Sequence, residues 1–127
     1  MIVAGIGSKR GVSPDEVVAA LDAALARAAL TRMDVSLMAA PAVKGGEAGI
    51  SEAAARLGLP LVLVPQTQLE AASSRAQTRS ERVVALLRVP SAAETAALAA
   101  AGPLAHLMGP RLALGPVTCA LARREDT

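Results

Sequence analysis

At 127 residues and a formal net charge of +2, the chain has the size of one domain, residues 1–127, able to bury well over half of its unfolded surface. It is 53% hydrophobic yet contains no Phe, Tyr or Trp. A charge this small does not imply a general polyanion partner, and the missing aromatics count against single-stranded nucleic acid, whose binders use aromatic stacking platforms.

A core without aromatics must be built from Leu, Val, Ile, Met and many alanines, which favours closely approaching helices. Eleven basic residues are Arg, and the two lysines, Lys9 and Lys44, both fall in glycine-containing segments after predicted strands. One cysteine, Cys119, excludes an internal disulfide and fits a reducing compartment. No signal-peptide pattern opens the sequence. The longest charge-free run, 95–110, contains Gly102, Pro103 and His106 and is too short to span a bilayer. A cytoplasmic protein with no membrane partner is expected.

The opening run, residues 2–6, predicts a buried strand that breaks at Gly5 and Gly7, passes Lys9, Arg10 and Gly11, and enters a helix. Ser13 suits the N-cap, Pro14 the first helical position and Glu16 the third, a capping box. A strand, a glycine loop and a helix N-terminus flanked by two cations suggest an anion-binding loop; a tight β–α turn whose glycines serve geometry alone is the equal alternative. The helix is expected over 14–29, with Val17, Leu21, Ala24 and Leu25 on one stripe. A second strand follows at 35–40, a loop at 41–49, a helix with Ile50, Ala53, Ala54 and Leu57 inward and Gly58 as its stop, then a third strand at 61–64.

Thr67 and Glu70 form another capping-box pattern at the start of a short helix, and the polar stretch 72–80 is expected to be mobile. Residues 81–87 suit a short helix better than a strand. Ser91 and Glu94 make a third capping box before an alanine-rich helix that Gly102-Pro103 stops. Strands are expected at 104–108 and 117–122, joined by a loop too short for a helical crossover and therefore antiparallel. The fold expected is α/β, a single three-layer α/β/α domain with a mixed, largely parallel sheet of about five strands. Residues 123–127 read as an exposed charged tail.

Familiar motifs fail. Gly5, Gly7 and Gly11 approach a dinucleotide fingerprint, but with one residue too many before the third glycine, and Ala39 and Ala40 stand where the ribose-binding acid belongs. No Gly-Lys-Ser/Thr follows at P-loop distance. His106, in an apolar strand-like run, reads as structural more readily than as a ligand, and Cys119 as a small buried apolar residue. One His, one Cys and scattered acids make no zinc constellation, and no Ser–His–Asp arrangement stands out. Neither a metal nor a cofactor is expected. Glu47, three residues after Lys44, reads as a structural partner of Lys44 or, less readily, as a general base. Thr118 is a hydroxyl donor to a ligand or simply a β-branched strand residue.

Gly5-Ile-Gly-Ser-Lys-Arg-Gly11 with Asp15-Glu16-Val17, then Lys44, Glu47 and Gly49, then Ser91-Ala-Ala-Glu-Thr-Ala-Ala-Leu98, then Gly115-Pro-Val-Thr-Cys-Ala-Leu-Ala122 occur in order and at fitting spacings. Together they resemble the CobE/CbiG C-terminal domain family of cobalamin (vitamin B12) biosynthesis, most of all its free-standing members. Ser8 stands where the family commonly has Cys, and Arg111 where it often has Lys. The resemblance implies tetrapyrrole metabolism: binding of a carboxylate-rich corrinoid intermediate as a carrier, chaperone or accessory among other cobalamin-pathway enzymes. Its alternative is a hydrolase acting on a corrin lactone or acyl substituent, as in the longer anaerobic-pathway homologue, with Lys9 or Lys44 stabilising an oxyanion and Glu47 activating water. The residues expected at the ligand are Gly5, Gly7, Ser8, Lys9, Arg10, Gly11, Lys44, Glu47, Arg111 and Thr118. Whether a homodimer completes the pocket stays open.

Overall fold

The computed structural model describes residues 1–125. Strand β1 (Ile2–Ser8) is buried through Gly7, without polar alternation, because both of its faces are covered. Ser13 then starts α1 (Pro14–Arg27) with a reciprocal capping box: Glu16 N–H donates to Ser13 Oγ at 3.1 Å and Ser13 N–H to Glu16 Oε1 at 3.0 Å. Strand β2 (Leu37–Pro41) begins two residues later than expected, since Val35 is buried but outside the ladder. A 3-10 turn at Ala42–Lys44 leads to α2 (Ala48–Leu57), which Gly58 ends in the left-handed conformation at φ 67°, before β3 (Leu61–Val64).

Helix α3 (Gln66–Ala72) starts at Pro65 without a side-chain cap, so the expected Thr67–Glu70 box does not form; Thr67 already lies inside the helix, and Gln66 Nε2 donates to Glu70 instead at 2.9 Å. The stretch expected to be mobile contains a 3-10 turn, Ser73–Arg75, whose Arg75 guanidinium donates to the carbonyls of Gly102 and Ala105. Helices α4 (Glu81–Leu87) and α5 (Ala92–Ala101) follow. Ser91 Oγ caps α5 by accepting from Glu94 N–H at 3.2 Å, but the Glu94 side chain does not turn back to complete the box. Strand β4 (His106–Leu107) is shorter than expected, and an unexpected β5 (Leu112–Leu114) forms a hairpin with β6 (Val117–Arg123) across Gly115, at φ 57°. His106 is exposed rather than packed. Of the expected tail, Arg123 closes β6, while Asp126 and Thr127 lie outside the described residues.

The sheet order is β3-β2-β1-β6-β4, with β5 also paired to β6. β1, β2 and β3 are mutually parallel, and β6 is antiparallel to β1, β4 and β5, so it alone runs against the others. Helices α1 and α2 cover one face over Ala4, Ile6, Met38 and Cys119; α3 and α5 cover the other over Val3, Ala39 and Ala120. The expected three-layer α/β/α arrangement is present. Among the described residues, no single helix is long and apolar enough to cross a membrane.

α5 is buried almost all round, as a helix apolar on every side must be. Its seat on β1 depends on Gly5, where an added Cβ would lie 2.1 Å from the Ala93 carbonyl oxygen and 2.7 Å from Ala97 Cβ. Gly5→Ala should therefore cost about 3 kcal/mol in urea denaturation followed by circular dichroism, whereas Gly46→Ala, where a Cβ meets nothing within 4 Å, should stay within about 0.5 kcal/mol.

Burial pushes the Cys119 thiol up from 9.0 to about 12. Above pH 9 the unfolded chain loses this proton while the folded chain keeps it, so stability must fall as pH rises. Between pH 9 and 11 the wild type should lose up to about 1.4 kcal/mol per pH unit more than Cys119→Ala, measured by urea denaturation; parallel pH profiles would contradict the burial effect.

Candidate functional site

The carboxyl ends of β1 and β2 and the start of β6 meet at a cleft of about 710 Å³, within the range of small-molecule sites. Its place follows from topology. From β1 the chain steps outward to β2 and β3, then crosses back through α5 to the other side of β1, and open α/β sheets bind ligands at such a reversal. Three loop regions supply the walls. The β1–α1 loop brings Ser8, Lys9 and Arg10; the turn after β2 brings Val43, Lys44 and Glu47; the turn before β6 brings Gly115, Pro116 and Thr118. The first and third regions are tied together by Lys9 N–H, which donates to the Pro116 carbonyl at 3.0 Å.

Helix α4 supplies a wall that sequence reasoning missed. Arg82, Val83, Leu86 and Leu87 line the cleft, and Ala92 at the start of α5 adjoins them. No local pattern in the sequence marks it, since which of its residues reach the cleft depends on where this seven-residue helix docks. Leu86 is 69% exposed and Val43 67%, which is a large apolar offering to solvent for two residues of one cleft.

Five cationic side chains, Lys9, Arg10, Lys44, Arg82 and Arg111, line the cleft against one carboxylate, Glu47. Elsewhere arginines pair with acids: Arg32 with Asp22, Arg56 with Asp15, Arg79 with Glu81 and Arg123 with Glu125. The contact with Arg32 holds the Asp22 carboxyl below its ordinary range, mainly through its hydrogen bond. Among the described residues, none of the five cleft cations has an acid within ion-pair distance.

Several backbone N–H groups of the opening loop are already engaged within the fold, while its cationic side chains line the cleft. The α1 N-terminus is closed by its own capping box, Lys9 N–H is taken by Pro116, and Gly11 N–H donates to Glu47 Oε2 at 3.1 Å. That last bond also corrects the pairing expected for Glu47, which holds the glycine loop rather than Lys44. Gly11, at φ 74°, makes the turn but does not line the cleft, and Gly5 lies beneath α5. The other eight expected residues, Gly7, Ser8, Lys9, Arg10, Lys44, Glu47, Arg111 and Thr118, come together there.

At the floor, Thr118 Oγ1 donates to the Gly7 carbonyl at 3.3 Å, and Gly7 leaves no room for a Cβ, which would fall 2.6 Å from that hydroxyl. Ser8 Oγ is buried without a protein partner. Arg and Lys donate hydrogen bonds and accept none, so this lining suits a ligand with several anionic groups around an apolar body. No cluster of three or more His, Cys, Asp or Glu able to hold a metal ion occurs among the described residues.

The family model described as "Cobalamin synthesis G C-terminus" matches residues 2–122. A Sinorhizobium sp. protein named "Protein CobE" is 34% identical over 121 residues, covering 95% of this chain and 79% of its own. A crystal structure of CobE, a protein from the cobalamin (vitamin B12) biosynthetic pathway, superposes with a TM-score of 0.93 at 28% identity, over 98% of this chain and 91% of the other. The cobalamin biosynthesis protein chiG from Agrobacterium tumefaciens is 38% identical, with a TM-score of 0.79, over 99% of this chain and 100% of its own.

Proposed function

The chain belongs to the cobalamin synthesis G C-terminus family and is a cobalamin biosynthesis protein, and from that premise we propose that its cleft binds a carboxylate-rich corrinoid intermediate and passes it on as a carrier or chaperone among pathway enzymes. The observation that carries the reading is the lining itself: five cations without an acid partner among the described residues, beside the exposed apolar Val43 and Leu86. Corrin precursors carry acetate and propionate groups around an apolar ring. Lys9, Arg10, Lys44, Arg82 and Arg111 would meet the carboxylates, while Val43, Val83, Leu86 and Pro116 cover part of the ring. Ser8 and Thr118 supply hydroxyls beneath it. The single free cysteine suits a reducing compartment, the cytoplasm.

A second reading rests on Glu47. Gly11 engages one of its oxygens, which fixes the carboxylate in the cleft with its other oxygen available to orient a water. In that case a corrin lactone or acyl group held by Lys9 or Lys44 would be hydrolysed. Mass spectrometry of the bound corrinoid separates the two readings: an unchanged mass supports the carrier, while gain of one water by a lactone, or release of the acyl group as a free acid with uptake of water, supports the hydrolase.

Because the chain contains no Trp or Tyr, bound corrin can be followed by absorbance without interference. A corrin polycarboxylate, obtained by hydrolysing the side-chain amides of cobalamin, should bind at micromolar concentrations. Lys9→Ala/Lys44→Ala should weaken it roughly 100-fold or more with the fold intact, each charged contact being worth about 1.5 kcal/mol or more. Unchanged affinity in the folded double variant would remove this cleft as the site.

The same ring with its carboxylates converted to amides should bind at least roughly tenfold more weakly, since cationic donors gain less from a neutral oxygen. Raising salt should weaken the acid form more than the amide form. Equal affinities and equal salt slopes would contradict recognition by charge.

A further inference from the structure

Glu94 has no exposed surface, yet its carboxylate is not used by the helix cap its position suggested. Oε1 accepts from Gln77 N–H at 2.8 Å and from Thr78 N–H at 2.9 Å, and Oε2 accepts from Arg111 N–H at 2.8 Å. Among the described residues no Lys, Arg or His pairs with it. A buried carboxylate without a cation is costly, and here three backbone donors and the first turn of α5 offset that cost.

The donors belong to two different walls of the cleft. Gln77 and Thr78 lie, with Arg79 between, just ahead of Ser80, the N-cap of α4, which carries Arg82 and Leu86. Ser80 N–H is itself anchored to the Pro90 carbonyl at 2.9 Å, beside the start of α5. Arg111 leads into β5. One rigid side chain on the core helix thus fixes two loop segments that otherwise share no ladder, and both present a cation to the cleft.

We propose that Glu94 is the positioning residue of the cleft, joining the α4 wall to the Arg111 wall so that Arg82 and Arg111 face one ligand together. Glu94 itself touches no ligand. The inference deepens the corrinoid-binding reading and rests on it for the identity of the ligand, but the linkage of the two walls stands on these hydrogen bonds alone.

Substitution by glutamine distinguishes the two arms. A glutamine oxygen can keep the paired donors of Gln77 and Thr78, but its NH2 group then faces the Arg111 N–H, donor against donor. In wild-type protein, amide hydrogen exchange at Gln77, Thr78 and Arg111 should be strongly protected although all three lie outside helices and strands; free exchange there would overturn the linkage. In Glu94→Gln, protection should fall selectively at Arg111 and along β5, while β1 and α1 keep theirs. A uniform loss across the sheet, or no loss at Arg111, would overturn it. If that variant does not fold, Glu94→Asp, one methylene shorter, should likewise release one arm and retain the other.

With the corrin polycarboxylate as probe, Glu94→Gln should lower affinity roughly tenfold, as Arg111→Ala does, and the double variant should lose no more than either alone. Multiplying losses near 100-fold would reject positioning through Arg111. A wild-type protein that leaves this corrin unbound counts against the assigned ligand, while the exchange pattern still decides the role of Glu94.

Discussion

Everything in this fold that bears on function depends on how closely α5 lies on β1. The helix rests on the strand at Gly5, where even one methyl group would meet the Ala93 carbonyl at 2.1 Å. A chain without aromatic residues obtains dense packing by such approaches of backbone to backbone, with alanines as spacers, rather than by filling volume with large rings. The consequence is directional. Seated on β1, α5 delivers its N-terminal turn to the carboxyl end of that strand, and Ala92 and Glu94 arrive where the loops of the sheet converge.

From that point the cleft is assembled in layers of decreasing rigidity. The strand ends set the floor, with Gly7 allowing Thr118 to come close across the β1–β6 pair. Glu94 ties down the segments that lead to α4 and to β5. Glu47 secures the glycine loop through Gly11. The outermost layer is Lys9, Arg10, Lys44, Arg82 and Arg111, which among the described residues have no acid within ion-pair distance and which, on the proposed reading, meet the anions of a ligand. Two carboxylates are thus engaged by backbone N–H groups, and the cations are left available.

Much of the fold was legible in the sequence because the punctuation was strong. Ser13, Pro14 and Glu16 marked α1, Gly58 marked the end of α2, and the apolar run of β1 could only be a covered strand. The expected boxes at Thr67 and Ser91 misled for different reasons: α3 starts earlier, at Pro65, so Thr67 is no cap, and a Glu three residues after Ser91 fits the pattern whether its side chain turns back to the cap or outward to another segment. Glu94 took the outward course, and its carboxylate accepts from the N–H groups of Gln77, Thr78 and Arg111 instead of the Ser91 N–H. β5 was missed because three residues ending at Gly115 acquire strand character only from β6 beside them. In the site, Lys9 and Lys44 could be found from their glycine surroundings. Arg82 and Leu86 could not, because their role depends on where a seven-residue helix docks, and no local pattern states that.

On the proposed reading, a polyanionic ring is recognised by side-chain cations around apolar walls at the carboxyl ends of β1 and β2. A crystal structure of the protein with the corrin polycarboxylate tests it most directly. Ring carboxylates are expected within hydrogen-bond distance of Lys9, Lys44, Arg82 and Arg111, with Val43 and Leu86 against the ring and Glu94 still holding the Arg111 backbone. A ring seated elsewhere on the sheet, or bound with these four cations turned away from it, would rule out this mode of recognition.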